Sequence, residues 1–308
     1  MHSALIHQNA PDWFTRALAQ PGQSHFTEVL GCRIHYAQWG DPKRPGLLFV
    51  PASGGHTHWF DHVAPLFADQ FNVVAIDLSG CGDSDRRPEY AQDFITAEIM
   101  GVLAASGMLD ADVPATLVGH SAGAQFALRA AIPNEEALLG VISVDGLRYA
   151  RLEKDHAIRI LTEGRPPARP PRVYVDYEDA VARFRLAPAP LVPIDAPHII
   201  EHIARHSFQP VEGGWTSKFD TAQGMTIDLA FELLGALKDY RCHTAAIVAE
   251  HSHLADETAS DIIGAASQGK TTVFVMPGTT HYPPIDSPLA FVAAIKGIVL
   301  SWIAARSR

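Results

Sequence analysis

Ala115-Thr116-Leu117-Val118-Gly119-His120-Ser121-Ala122-Gly123 is the stretch that decides how this chain is read. An apolar run that reads as a buried strand passes directly into small residues that open a helix. A side chain carried on the turn between them needs a strained backbone. Small neighbours are therefore required on either side, and Gly119 and Gly123 supply them. Ser121 would then stand out of the sheet beside the first amides of the next helix. The competing reading makes Ser121 an ordinary helix N-cap.

Working outward, short apolar runs alternate with helix-like segments. Glu28 to Trp39 reads as two strands around a turn at Gly31, ended by Gly40-Asp41-Pro42. Leu47 to Val50 reads as a strand, Trp59 to Asp69 as a helix, Phe71 to Asp77 as a strand and Phe94 to Ser106 as a helix. After the Ser121 turn come a helix from Ala122 to Ala131 and a strand from Gly140 to Asp145. The rhythm breaks at 146–225, where Arg165-Pro166-Pro167-Ala168-Arg169-Pro170-Pro171 and Pro188-Ala189-Pro190 cannot sit in a central sheet. Amphipathic pieces such as Ile199 to His206 make this stretch a helical cap. The rhythm resumes with a strand at Ala245 to Ala249, a helix near Glu257 to Ala266, a strand at Thr271 to Met276 and a closing helix from Leu289 to Ala304. The reading is an α/β fold with a mostly parallel sheet covered on both faces, its core at 28–145 and 226–308. Residues 1–27 form an N-terminal extension. Its short helix, opened by Pro11-Asp12, carries Trp13, Phe14, Ala17 and Leu18, a face to be buried on its own domain or on a second copy in a homo-oligomer.

With 308 residues, 47% hydrophobic and 19% charged, the chain can bury one large core. A net charge of −10 without a basic run speaks against nucleic-acid and anionic-membrane partners. No stretch reads as a membrane span or a signal peptide. Three scattered cysteines, Cys32, Cys81 and Cys242, fit a reducing, cytoplasmic setting and neither a disulfide framework nor a zinc knuckle. Two H-x-H pairs, His56/His58 and His251/His253, share a face if extended, a geometry used in metal ligation. Lacking companion cysteines or a dense carboxylate cluster, they read as loop histidines lining a cleft, with no metal and no cofactor expected.

Four motifs in order resemble the α/β-hydrolase fold family over about Glu28 to Ala304. Val50-Pro51-Ala52-Ser53-Gly54-Gly55 stands where that family has its H-G-x-x loop, with Pro51-Ala52 in place of His-Gly. Asp77-Leu78-Ser79-Gly80-Cys81-Gly82-Asp83-Ser84 looks like its D-x-x-G-x-G-x-S turn. The Ser121 elbow follows, and Pro277-Gly278-Thr279-Thr280-His281 looks like the loop that carries its base. The resemblance implies Ser121 as nucleophile, His281 as general base, and the amides of Ser53 and Ala122 as an oxyanion hole. It also places a substrate pocket under the cap, with Gly54, His56, Trp59, Phe184, Phe208 and Trp215 as candidate walls.

The acid departs from the usual pattern. Ala249-Glu250-His251-Ser252-His253-Leu254 offers Ser or His where the family carries Asp in the turn after the cap. An imidazole base still needs a partner to fix its tautomer. Asp145, ending the strand after the elbow helix, is the leading candidate, and it matches the position used by haloalkane dehalogenases and the ring-opening zearalenone lactonases. Glu250 and Asp256 remain alternatives. A Ser elbow implies acyl chemistry on a small-molecule ester or lactone, a bulky apolar ester or macrolactone preferred, with weak similarity to the zearalenone lactonases. Hydrolysis of a C–C bond in a β-ketone is one alternative, and a catalytically inactive small-molecule binder is another.

Overall fold

In the computed structural model, which describes residues 10–147, 171–223, 228–252 and 258–306, the apolar runs form a twisted sheet with helices on both sides. The strands are β1 Gln23–Val29, β2 Cys32–Trp39, β3 Gly46–Val50, β4 Asn72–Ile76, β5 Ala115–His120, β6 Leu138–Val144, β7 Phe208–Val211, β8 Gly214–Ser217, β9 His243–Ala249 and β10 Thr272–Met276. Eight of them make one sheet in the order β1-β2-β4-β3-β5-β6-β9-β10. The β1–β2 and β2–β4 pairs are antiparallel and the rest are parallel. Every residue of β3, β4, β5 and β6 is buried, as befits strands covered on both faces. Leu30 and Gly31 both take positive φ between β1 and β2, the backbone that a two-residue hairpin turn needs to match strand twist.

Among the described residues, the α-helices of six residues or more are α1 Asp12–Leu18, α2 Gln92–Ala105, α3 Ala122–Ala131, α4 Tyr177–Ala182, α5 Pro197–His206, α6 Asp228–Ala236, α7 Ala259–Ala266 and α8 Pro288–Arg306. Successive strand residues point to opposite faces, and the two halves of the core divide accordingly. Leu48, Leu117 and Val141 pack with Val102 and Leu103 of α2, Ala127 and Leu128 of α3, and Leu233 and Ile263. Their neighbours Phe49, Val118 and Ile142 pack with Phe60, Phe67 and, from α8, Phe291, Ile295 and Val299.

Three sequence expectations change. Trp59–Asp69 is not an α-helix but two 3₁₀ turns, Thr57–Trp59 and Ala64–Leu66, because Pro65 removes a backbone donor from the middle of the segment. The segment between β6 and β9 is not purely helical. Within it, residues 171–223 hold α4 and α5 but also the β7–β8 hairpin, with Tyr174 bridging to Trp215, and α6 follows before β9. The hairpin signal was Gly213-Gly214, both at positive φ. Finally, α8, the expected closing helix, is long and apolar enough by length and composition to cross a membrane, where the sequence offered no span. Phe291, Val292, Ile295, Val299 and Trp302 nevertheless bury one side of it on the protein's own sheet.

Registers set the site. Val50 pairs with Gly119, His120 with Val144, and Val144 with Ile247, so β3, β5, β6 and β9 end level at one edge. Ser121 and Asp145 are the next residues on adjacent strands. Ligands of open α/β sheets bind at this carboxyl edge.

The apolar side of α1 is covered by its own chain. Phe14 and Ala17 are each 1% exposed, and the Phe14 ring lies 4.7 Å from that of His198 and 6.2 Å from that of His62. His62 is fully buried. Its Nε2–H donates to the Pro284 carbonyl at 2.7 Å, while Nδ1 has no hydrogen-bond partner among the described residues. Burial pushes this imidazole down to about 4, against 6.5 when free. The unfolded chain therefore binds the extra proton between pH 6.5 and 4, and stability rises with pH across that window. Acidification to pH 4 should cost roughly 3 kcal/mol through His62. Urea unfolding at pH 7 and pH 4 should show this loss, and a His62→Phe variant should lose measurably less.

Candidate active site

Backbone contact builds the elbow. A Cβ on Gly119 would strike the backbone of Gly123 and Ala124, and one on Gly123 would strike the carbonyls of Val50 and Pro51. The start of α3 is thereby held against the loop after β3. Ser121 takes φ 54° and ψ −120°, strained for a residue with a side chain, and its N–H donates to the Val144 carbonyl at 2.9 Å. Asp145 also has positive φ, 45°, and its N–H donates to the Ile247 carbonyl at 2.8 Å.

Three side chains meet at this edge, each no more than 5% exposed. The Ser121 hydroxyl lies 2.9 Å from His281 Nε2, and His281 Nδ1 lies 2.6 Å from Asp145 Oδ2. A proton on Nδ1 satisfies Asp145 and leaves the Nε2 lone pair for the serine hydroxyl. Burial pushes the Asp145 carboxyl up. The hydrogen bond and charge of His281, with further bonds from Ser252 and the Ala249 amide, outweigh this and hold it below its ordinary value. The carboxylate is thus ionised where an imidazolium would form.

Glu250 does not reach the imidazole. It accepts from the Gly278 amide at 2.7 Å and braces the loop that carries His281. Asp256 lies outside the described residues. Two further braces were not picked out from sequence. His120 Nε2–H donates to the His281 carbonyl at 2.7 Å, and Asp286 accepts from the Thr280 amide and hydroxyl at 2.6 and 2.7 Å. His120 sits inside the elbow motif itself, which was the available signal.

The loop after β3 closes as a turn from the Ala52 carbonyl to the Gly55 amide, 2.8 Å, with Gly54 at φ 72° in the position that demands it. Ser53 is exposed at that turn. Ala122 opens α3, whose first amides have no partner within the helix. The Asp77 carboxylate holds the next segment by accepting from the Thr57 amide at 2.6 Å, the Asp83 amide at 2.9 Å and His35 Nδ1–H at 2.8 Å.

The candidate walls divide. Trp59 is buried beside the site, its ring 6.4 Å from that of His120 and 6.2 Å from that of Tyr282. A Cβ on Gly54 would lie 3.3 Å from the ring of Phe219, so this cap residue covers the loop; it was not among the expected walls. His56 is spent on the cap, its Nε2 2.8 Å from Ser207 Oγ, and burial first, then the charges of His58 and Lys218, holds it well below its ordinary value. Phe208 packs edge-on against Tyr174, Trp215 packs against Tyr177, and Phe184 lines a groove of about 340 Å³ between α4 and α5. Phe208 and Trp215 thus meet other rings of the cap.

The model of the alpha/beta hydrolase family matches residues 47–295. The 2-(acetamidomethylene)succinate hydrolase of Mesorhizobium japonicum is 27% identical over 270 residues, 83% of this chain and 88% of that protein. The N-formylmaleamate deformylase of Pseudomonas putida is 34% identical over 117 residues, 37% of this chain and 42% of its own. Among solved structures, the thioesterase domain from the curacin biosynthetic pathway superposes with a TM-score of 0.72 at 23% identity, covering 89% of this chain and 98% of that one.

A Gly123→Ala substitution tests whether the elbow rests on backbone contact. Its methyl group has only carbonyl backbone to displace, so the loss should reach about 3 kcal/mol, the upper end for overpacking. Denaturant unfolding should report it. A variant as stable as the parent would show that the loop after β3 yields freely.

Proposed function

This chain belongs to the alpha/beta hydrolase family and is a hydrolase, and from that premise we propose that it cleaves carbonyl substrates through an acyl-enzyme on Ser121. The observation that carries the proposal is the buried hydrogen-bonded series from Ser121 through His281 to Asp145. A serine hydroxyl is a poor nucleophile until a base takes its proton as it attacks. His281 Nε2 takes that proton, and Asp145 supports the imidazolium so formed. The oxygen of the attacked carbonyl gains charge, for which the amides of Ala122 and Ser53 serve as donors. The imidazolium then gives its proton to the leaving group, and water repeats the sequence to release the acid.

For the bond cleaved, the preferred substrate is a carboxylic ester or lactone with an apolar acyl part, supported by the aromatic surfaces of Trp59 and Phe219 beside the turn. A second reading has support of its own: the two relatives above are named for 2-(acetamidomethylene)succinate and N-formylmaleamate, neither of them an ester. Cleavage at a C–N or C–C bond beside a carbonyl uses the same acyl-enzyme and differs in where the proton goes. An alkoxide takes it on oxygen, whereas a carbanion takes it on carbon. A nitrogen leaving group takes it on nitrogen, where it exchanges as on oxygen. Turnover in D₂O therefore singles out C–C cleavage by deuterium on product carbon, and identification of an amine or alcohol product separates the other two.

Labelling with a fluorophosphonate tests the nucleophile directly. The parent should gain one adduct on Ser121, and Ser121→Ala should gain none and lose at least ~10⁴-fold in turnover. An unlabelled parent would point instead to an inactive binding protein. Asp145→Asn should reduce kcat by about 10⁴-fold through the wrong imidazole tautomer. Glu250→Gln, whose amide oxygen still accepts from Gly278, should leave the rate nearly unchanged. The reverse ranking, measured on any p-nitrophenyl ester that is turned over, would relocate the acid.

A further inference from the structure

Outside the Ser121 site, three histidines converge where the cap meets the core. His202 and His206 lie four residues apart on α5 and so share one face of the helix. His58 comes from the 3₁₀ turn that follows the Gly54 loop. The His58 and His206 rings stack with centroids 3.9 Å apart, and those of His202 and His206 lie 4.6 Å apart. One ring nitrogen from each lies within 4.8 Å of the other two.

Their outer partners are those of metal ligands. His58 Nδ1–H and His202 Nε2–H both donate to Asp61 Oδ2, at 2.7 and 2.8 Å. His206 Nδ1–H donates to the His202 carbonyl at 2.8 Å, which leaves its Nε2 lone pair for another use. A histidine that binds a metal through one nitrogen usually donates from the other to a carboxylate or a backbone carbonyl.

We infer that His58, His202 and His206 bind one divalent transition ion of the zinc type, which pins α5 of the cap to the loop beside the site. Three neutral imidazoles suit Zn²⁺, with a solvent molecule as fourth ligand. Zinc–nitrogen bonds of about 2.0–2.1 Å require the three nitrogens to draw together, which rotation of the side chains supplies. The ion reinforces a junction already made by the His56–Ser207 bond. It shares no ligand with Ser121, His281 and Asp145, so its role is to fasten the cap.

The test uses untagged, chelator-treated full-length protein titrated with Zn²⁺ in a calorimeter. One equivalent should bind, and thermal denaturation should shift upward with added zinc. Asp61→Asn should weaken binding by about 10- to 100-fold, as loss of an outer carboxylate does. The His202→Ala/His206→Ala double variant should lose the site and the thermal shift. Co²⁺ loading of the parent gives a readout that needs no variant, because a three-histidine site gives intense tetrahedral visible bands. Binding far below one equivalent, octahedral cobalt bands, or unchanged affinity in the double variant would each overturn the inference.

Discussion

The close approach of two backbones is the constraint on which the rest depends. Gly123 lets the first turn of α3 lie against the carbonyls of Val50 and Pro51, and Gly119 lets β5 pass beneath it. Where these contacts are made, the chain turns at Ser121 with positive φ. The strain, of order 1–3 kcal/mol for such a residue, is borne by the buried strands on either side. The same contact ties the loop carrying Ser53 to the helix carrying Ala122, so the two proposed oxyanion donors ride on one rigid unit.

Burial then raises the stakes for each polar group. Asp145 and His281 are almost fully enclosed, and a carboxylate there survives only because every partner is in place. The loop holding His281 is correspondingly over-determined. His120 holds its backbone, Glu250 holds Gly278, the His251 amide donates to the Thr279 carbonyl, and Asp286 holds Thr280. Positioning of this kind lets a hydroxyl and an imidazole meet at hydrogen-bond distance without paying for reorganisation when a substrate arrives.

The far side of the site is fastened differently, by polar contacts between the end of the cap and the turn after β4. The Asp220 amide donates to the Gly80 carbonyl, Gln223 donates to the Ser79 carbonyl, and Tyr90 donates to Asp220. Lys218 pairs with Asp83 of the same turn. Phe219 is set over Gly54 by these bonds. The aspartate that organises the turn, Asp77, also reaches Thr57 next to the histidine cluster, so cap, turn and oxyanion loop form one mechanical unit.

What the sequence by itself determined is whatever depends on residues adjacent in the chain. Glycines around Ser121, the order of strands and helices, and His281 in the loop after the last strand are legible because sterics and hydrophobic periodicity act over a few residues. Pro65 and Gly213-Gly214 were legible in the same way and mark the turns and the hairpin that a coarser pattern missed. Tertiary structure alone decided which carboxylate meets His281. Asp145 and Glu250 both follow strands, and only the register of β5 on β6 and of β6 on β9 brings one to the imidazole and sends the other to Gly278. It likewise decided that His56 turns to Ser207 while His58 joins His202 and His206, and that Phe219 rather than Phe184, Phe208 or Trp215 lies over the Gly54 turn. Such meetings depend on how distant segments cross, and no local preference encodes a crossing.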